Sequence, residues 1–132
     1  MPPGNKVRVL IVDDHFIVRQ TFRCILKHYP NVEVVGEASD GDEAIACAGK
    51  FQPSVILMDM NMKKMDGITA ARVIKAQYPH VLVLGFSADT QNYNVYAMRQ
   101  AGAFEVLQKE DARKDLYAAI QRGVAAIRSN VA

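Results

Sequence analysis

The chain has 132 residues, of which 50% are hydrophobic and 23% are charged, and its formal net charge is +2 at pH 7. These values are ordinary for one globular domain with a continuous core, and the interspersed charges exclude a strongly basic face for nucleic acid. The two cysteines, Cys24 and Cys47, lie within apolar helical patterns, so we expect both to be small buried hydrophobes, and two are too few for a disulfide framework. Because the sequence has neither an apolar run of membrane-spanning length nor the anatomy of a signal peptide, we expect a cytoplasmic protein.

Two kinds of apolar spacing alternate along the chain. Short β-branched runs predict five strands, at Val7–Val12, Val32–Val35, Ser54–Met58, Val81–Leu84 and Ala103–Leu107. Helical spacing follows each run, at residues 18–29, at Asp42–Gly49, after Gly67, from about Asn92 to Ala101 and from about Asp111. This alternation predicts an α/β domain, a parallel sheet with helices on both faces. We expect one domain over residues 6–128, with flexible ends at 1–5 and 129–132.

The predicted strands are followed by polar side chains. Asp13 and Asp14 follow the first, Asp59 ends the third, Ser87 follows the fourth, and Lys109 follows the fifth. Ligands bind at the carboxyl ends of parallel strands, so this edge of the sheet is where chemistry is expected. Taken singly, each residue is also typical of a helix cap, a turn or a solvated surface. Together, three carboxylates repel one another unless a cation such as Mg²⁺ compensates, and the set suits phosphoryl transfer to a carboxylate.

Four short motifs carry a resemblance to a known family. They are Leu10-Ile11-Val12-Asp13-Asp14, Asp59 in a segment leading to Met65-Asp66-Gly67, the pair Ser87-Ala88, and Lys109 after Ala101-Gly102-Ala103. Because these motifs occur in this order and at these strand ends, residues 6–128 resemble the receiver domains of two-component response regulators, the CheY-like superfamily. The pattern is most similar to receivers of the NarL/FixJ/LuxR type, which carry a C-terminal helix-turn-helix DNA-binding domain.

The resemblance implies a flavodoxin-like, doubly wound sheet of five strands in the order 2-1-3-4-5. It also implies that Asp59 is the phosphoacceptor, supplied by the phosphohistidine of a sensor histidine kinase or by a small acyl phosphate. The expected cofactor is Mg²⁺, bound by the side chains of Asp14 and Asp59, by the backbone carbonyl of Asn61, and by Asp13 through a water.

The same resemblance implies roles around the phosphoryl group and for the whole chain. Lys109 and the Ser87 hydroxyl would contact the phosphoryl oxygens, and the small Ala88 would leave room for them. The domain would be a switch that catalyses only its own modification and slow dephosphorylation, not an enzyme with ordinary turnover. It would signal, or form a homodimer, through its fourth helix, fifth strand and fifth helix. DNA would be reached only through an effector domain that this sequence lacks, so we favour a receiver from a longer transcription factor over a stand-alone regulator.

Departures from the family pattern affect the loop after Asp59 and the coupling to output. Lys63 stands where a proline is usual, which predicts a different loop shape and more charge. Val106 stands where an aromatic switch residue is usual, and Glu105 replaces the usual glycine before it. Phe104 lies two residues before Val106 and so would share its strand face, displaced by one pleat. We expect phosphorylation to work and the coupling of Ser87 to an aromatic rotamer to be altered.

Three other features of the sequence have two interpretations each. His15 follows the acidic pair and is either a phosphohistidine or ligand or, as we favour, a polar residue at the start of the first helix. Tyr93 and Tyr96 share one side of the fourth helix and belong either to the core or to a surface that binds a partner. The basic face of the first helix is either simply solvated or, as the resemblance implies, a docking surface for the kinase; it consists of Arg19, Arg23, Lys27 and His28.

Three other functions compete with a phosphorylated switch. A haloacid-dehalogenase-like phosphatase would need an acid at the position of Asn61, and a flavin carrier would need a phosphate-binding loop in place of Asp13-Asp14. The third competitor is a degenerate receiver that acts as an interaction or dimerisation module without phosphorylation.

Overall fold

The computed structural model describes residues 6–88 and 92–129, with side chains for all of these except residues 92–94 and 129. The strands are β1 Val7–Val12, β2 Val32–Ala38, β3 Val55–Asp59, β4 Leu82–Ser87 and β5 Glu105–Gln108. The helices are α1 Phe16–Leu26, α2 Gly41–Phe51, α3 Gly67–Gln77, α4 Asn92–Gln100 and α5 Lys109–Ser129. Strand and helix alternate along the chain, as the apolar spacing predicted.

All the strands run parallel in one five-stranded sheet, in the order β2-β1-β3-β4-β5. The fold class and the strand order expected from the resemblance are therefore confirmed. In this order β1 and β3 are neighbours, with Val12 beside Met58, and Asp59 lies beside Phe86 of β4. The ends of β1 and β3 thus meet at the point where the strand order reverses, which is where such sheets bind ligands.

Helices cover both faces of the sheet. On one face, α2, α3 and α4 pack against Ile56 and Met58 of β3, and on the other, α1 and α5 pack against Val55 and Leu57. Every residue of the runs 9–12, 55–58 and 81–84 is buried. Strands covered on both faces need apolar residues at every position, which explains why these runs do not alternate with polar residues.

Capping residues mark the start of two helices and the end of a third. Asp40 and Asp66 are the N-caps of α2 and α3, and each accepts a hydrogen bond of 2.8 Å from a backbone N–H three residues on. Gly102, with φ of +117°, lies just after α4, so the expected glycine terminator is confirmed.

Some predicted bounds were wrong. β2 continues three residues past Val35 to Ala38, because residues 36–38 pair with Leu10–Val12 of β1. β5 begins at Glu105, not at Ala103, and α5 begins directly at Lys109. Cys24, which an apolar helical pattern led us to expect inside, is exposed.

The predicted domain bounds 6–128 lie within the described part of the chain. Helix α5 extends to Ser129, whereas the flexible ends expected at 1–5 and 130–132 lie outside the described residues. Among the described residues, no helix combines the length and the apolar character that crossing a membrane requires.

Candidate functional site

Acidic and basic side chains from three separate elements meet at the carboxyl edge of the sheet. Asp13 follows β1, Asp59 ends β3, and Lys109 begins α5. The Lys109 Nζ atom lies 3.0 Å from Asp13 Oδ2 and 3.3 Å from Asp59 Oδ1. Both aspartate side chains are 1% exposed, and the lysine side chain is 21% exposed. The interpretation of Lys109 as a solvated surface lysine is therefore wrong.

The backbone after β3 holds Asp59 in a fixed orientation. The Asn61 N–H donates a 3.1 Å hydrogen bond to Asp59 Oδ1, and the Met60 N–H donates to the Phe86 carbonyl at 2.9 Å. Gly67 closes the loop, because its N–H donates to the Met60 carbonyl at 3.2 Å. A Cβ atom at Gly67 would lie 2.0 Å from the Asp59 carbonyl oxygen, so only glycine fits where α3 approaches the end of β3.

Burial and charge shift the acid–base behaviour of the site. Burial, together with the negative charge of Asp13, raises the pKa of Asp59 to about 6, although the Asn61 N–H and Lys109 oppose this shift. Burial by itself would lower the pKa of Lys109, but the hydrogen bond to Asp13 and the charges of both aspartates raise it above its ordinary value. At neutral pH the site therefore holds a protonated lysine beside a carboxylate that is ionised against a desolvation cost.

The acidic side chains form a group that can bind a metal ion. Ligand atoms of Asp13, Asp14, His15 and Asp59 all lie within 4.8 Å of one another. The Asp59 Oδ2 atom is buried and accepts no hydrogen bond from any described residue. Opposite ligands of an octahedral Mg²⁺ ion stand about 4.2 Å apart, so small movements would close these atoms around one ion. The orphaned oxygen and the oxygen-rich donor set both fit a divalent cation.

His15 belongs to this group, although we favoured its interpretation as a polar residue at a helix start over that of a ligand. It is the N-cap of α1, as expected for a polar residue at a helix start, but its side chain makes no capping bond. Its Nδ1 atom lies instead 2.9 Å from Asp13 Oδ1 and 2.9 Å from Asp14 Oδ1. The alternative in which Asp13 or Asp14 is the cap of this helix is wrong, because His15 occupies that position. The only signal in the sequence was the adjacency of the three residues.

The remaining predicted site residues lie along the same edge. Ser87 is the last residue of β4, is 1% exposed, and pairs with Gln108, the residue before Lys109. Ala88 follows it and is exposed. Asn61 is exposed and contacts Asp59 through its N–H, two residues beyond the strand. The edge therefore presents a hydroxyl, an amine and backbone groups around Asp59.

The space of the usual aromatic switch residue is occupied differently in this chain. Val106 is half-buried and pairs with Gly85 of β4. A Cβ atom at Gly85 would lie 3.1 Å from Met98 Cγ and 3.4 Å from Val106 Cγ2. Met98 of α4 is 0% exposed and so fills this region from the helix side.

Phe104 does not substitute for the missing aromatic residue. Its N–H donates to the carbonyl of Val83 at 2.8 Å, and its side chain is 37% exposed. Ser87 lies four residues further along β4 than Val83, which is about 13 Å along a strand. The prediction that Phe104 could partly take the role of the aromatic residue is wrong, because Phe104 precedes β5 at the opposite end of the sheet.

The surface of α4, β5 and α5 carries an internal ion-pair network. Arg122 of α5 contacts Glu105 Oε2 at 2.6 Å and Asp115 Oδ2 at 2.8 Å. Glu105, which replaces the usual glycine, thereby ties β5 to α5. Tyr96 is 64% exposed, which excludes it from the core, and the side chain of Tyr93 lies outside the described residues.

The loop with Lys63 in place of a proline lies beside the acidic group. Lys63 and Lys64 line an open cleft together with Asp14 and His15. The Lys64 Nζ atom lies 3.9 Å from Asp40 Oδ2. The loop thus brings additional positive charge to the entrance of the site.

Comparison with known proteins decides the family. The family model of the response regulator receiver domain matches residues 9–121. The chain belongs to the response regulator receiver domain family. Among relatives of this receiver, the transcriptional regulatory protein DegU of Brevibacillus brevis is 37% identical over 109 residues, which cover 82% of this chain and 46% of DegU. The receiver spans about half the length of the curated relatives it matches.

Solved receivers have the same fold. The signal receiver domain of NarL from Mycobacterium tuberculosis superimposes with a TM-score of 0.84 at 34% identity, covering 89% of this chain and 94% of that one. The isolated receiver domain of RcsB from Salmonella enterica serovar Typhimurium, solved with the phosphomimetic BeF3⁻, gives a TM-score of 0.80 at 30% identity, covering 90% and 91% of the two chains. The family assignment makes this chain a signalling domain of two-component systems and removes the phosphatase and flavin-carrier alternatives.

Proposed function

We propose that this receiver accepts a phosphoryl group on Asp59 from the phosphohistidine of a sensor histidine kinase, in a Mg²⁺-dependent reaction. The observation that carries this proposal is the buried Asp59 carboxylate, whose Oδ2 atom has no hydrogen-bond partner among the described residues, while Lys109 lies 3.3 Å from its Oδ1 atom. An ionised oxygen without a partner is available as a nucleophile, and the ammonium is placed to meet the charge of an incoming phosphoryl group.

In the proposed reaction a carboxylate oxygen of Asp59 attacks the phosphorus atom in line with the donor's P–N bond. A new O–P bond forms while the P–N bond breaks, and the three phosphoryl oxygens stay on phosphorus as the donor imidazole leaves. Lys109 donates an N–H to one phosphoryl oxygen, and the Ser87 hydroxyl donates to another. Ala88 has no side chain beyond Cβ that could obstruct the approach.

The proposed Mg²⁺ ion would be held by the side chains of Asp14 and Asp59, by the backbone carbonyl of Asn61, and by Asp13 through a water. When bound, it would neutralise the clustered carboxylates and the charge of the phosphoryl group. The chain's own contribution is to fix Asp59 through the Asn61 N–H and to keep its carboxylate in a dry environment.

The proposed output is transcription, controlled through a DNA-binding domain. The description of DegU as a transcriptional regulatory protein supports this, and so does the share of its length that the receiver covers. In the cytoplasmic regulator that we propose, phosphorylation draws Ser87 and Lys109 toward the acyl phosphate and shifts an existing equilibrium between two conformations. Homodimerisation through α4, β5 and α5 is a further part of this proposal.

Intact-protein mass spectrometry after incubation with acetyl phosphate and Mg²⁺ tests the acceptor. We expect a gain of about 80 Da, the added mass of a phosphoryl group, in the wild type and in the surface control Glu33→Gln. Asp59→Asn and a sample with excess chelator should show no gain. A gain that persists in Asp59→Asn, or no gain in the wild type, would contradict the proposal.

A second candidate function is a receiver that works as an interaction module without phosphorylation. The packing of Met98 and Val106 beside Gly85, in place of an aromatic switch residue, favours it. The same mass measurement separates the two functions, because this module would gain no phosphoryl mass. If the wild type gains no phosphoryl mass but is folded and still binds a partner protein or a second copy of itself, this result would establish the interaction module.

A further inference from the structure

One arginine of α1 connects the backbone beside the acidic group to the edge strand β2. The guanidinium of Arg19 donates through Nη1 to the carbonyl of Asp13 at 2.7 Å and through Nε to Glu37 Oε1 at 2.9 Å. The ring of Phe16 lies against the same guanidinium, with its centroid 5.7 Å from the Cζ atom. The Arg19 side chain is 16% exposed. The interpretation of this helix face as simply solvated is therefore wrong for Arg19.

Both backbone groups of Asp13 are tied to the end of β2. Its N–H donates to the carbonyl of Ala38 at 3.1 Å, and its carbonyl accepts from Arg19, which is itself bound to Glu37, the residue before Ala38. With its backbone fixed in this way, Asp13 directs its carboxylate at Lys109, whose Nζ atom lies 3.0 Å from Oδ2. Loss of Arg19 would free the Asp13 carbonyl and loosen the chain at the point where this carboxylate is anchored.

Arg23 is a natural comparison, because it binds the same carboxylate without reaching the acidic group. It lies four residues after Arg19 on α1 and donates through Nε to Glu37 Oε2 at 2.8 Å. Among the described residues, its side chain is bound to Glu37 alone. Both arginines therefore join α1 to β2, whereas Arg19 also holds the backbone of Asp13. An effect that depends on Arg19 and not on Arg23 can be assigned to the contact with Asp13.

We propose that Arg19 is a positioning residue for phosphoryl transfer, because its guanidinium fixes the backbone of Asp13 and thereby holds the Asp13 carboxylate beside Lys109 and Asp59. The inference rests on the proposed function, since it assigns a role in the same reaction. A planar guanidinium presents separate N–H groups to two acceptors at once, whereas an ammonium is a compact point charge that does not span them. Arg19 bonds to the carbonyl of Asp13, so its effect on the reaction passes through that residue.

Initial rates of phosphorylation by acetyl phosphate at saturating Mg²⁺, followed by intact-protein mass spectrometry, test the proposal. We expect Arg19→Gln to slow the gain of phosphoryl mass by about tenfold, a loss typical of removing a residue that orients a side chain of a metal site. Arg23→Gln is the matched control and should react at close to the wild-type rate, because it leaves the contact between Arg19 and Asp13 in place. Acetyl phosphate is the donor because it needs no protein docked on α1.

Arg19→Lys separates the charge of the side chain from its geometry. It keeps a positive charge on α1 but does not span the two acceptors, so we expect its rate to stay close to that of Arg19→Gln. This variant also decides the question if Arg19→Gln does not fold.

Measurements on the metal-free protein separate positioning from stability. Arg19→Gln and Arg23→Gln each lose an ion pair with Glu37, so both should unfold at lower urea concentrations than the wild type. The carbon-13 resonance of the Asp13 carbonyl should move in Arg19→Gln and stay in place in Arg23→Gln, because only the first variant removes its hydrogen-bond donor.

The possible results divide clearly. Equal slowing of Arg19→Gln and Arg23→Gln, a wild-type rate in folded Arg19→Gln or Arg19→Lys, or an unmoved Asp13 carbonyl resonance would overturn the proposal. If the wild type itself gains no phosphoryl mass, the proposed function fails as well. A normal gain in the wild type that does not depend on Arg19 overturns only the present inference.

Discussion

Replacing Asp59 with asparagine should stabilise the metal-free domain at neutral pH. Burial and the charge of Asp13 raise the pKa of Asp59 from 3.8 to about 6. Each unit corresponds to about 1.4 kcal/mol, so ionising this carboxylate in the folded state costs about 3 kcal/mol at pH values well above 6. Asparagine has nearly the same shape and carries no charge, and we therefore expect Asp59→Asn to gain most of this amount.

The sign of the pH dependence follows from the direction of the shift. A group whose pKa is raised on folding contributes its stability below the unfolded pKa and loses it as pH rises through the folded pKa. The advantage of Asp59→Asn should thus be about 3 kcal/mol near pH 7.5 and only about 0.5 kcal/mol near pH 4.

Urea unfolding in the presence of a chelator, at these two pH values, measures the difference. With a slope of about 2 kcal/mol per molar urea, the midpoint of the variant should lie about 1.5 M above that of the wild type near pH 7.5. The control Glu33→Gln removes an exposed carboxylate from β2 and should show neither the gain nor its pH dependence. Equal midpoints for the wild type and Asp59→Asn near pH 7.5, or the same gain at both pH values, would refute the electrostatic account of the site.

Three further predictions concern Gly67 and Lys109, which position Asp59 and set its electrostatic environment, and Glu37 of β2. Gly67→Ala places a methyl group against the Asp59 carbonyl and should lower the free energy of unfolding by about 1–3 kcal/mol in urea titrations, and an unchanged value would mean that α3 can move away. Lys109→Met removes a cation that lowers the pKa of Asp59, so carbon-13 NMR of that carboxyl should show the pKa rising further, and a fall would contradict the assigned charge balance. Glu37 is partly desolvated, which raises its pKa, but hydrogen bonds and charges from two arginines of α1 lower it below its ordinary value. Glu37→Gln should therefore cost about 1 kcal/mol at neutral pH, and in thermal unfolding this cost should decline as pH falls from the ordinary pKa of 4.5 through the lowered pKa of the folded state.

The sequence determined most of the architecture because the signals involved are local. Apolar runs such as 55–58 identify strands covered on both faces, and each lies next to residues of helical spacing. A parallel sheet places the carboxyl ends of its strands on one edge, so the positions of Asp13, Asp59 and Lys109 at strand ends were enough to predict that they meet. The glycine at position 102 similarly marked the end of α4.

Only the tertiary structure decided the properties that depend on contacts between distant elements. The raised pKa of Asp59 comes from burial and from Asp13, which follows the neighbouring strand β1, and neither effect is visible in the local sequence. The position of Phe104 depends on the register of β5 against β4, because that register places Phe104 beside Val83, four residues before Ser87 along β4. The contacts of the His15 ring with Asp13 and Asp14 are likewise seen only in the folded chain. Spacing along the chain fixes which residues reach the site, whereas packing fixes their distances, charges and partners.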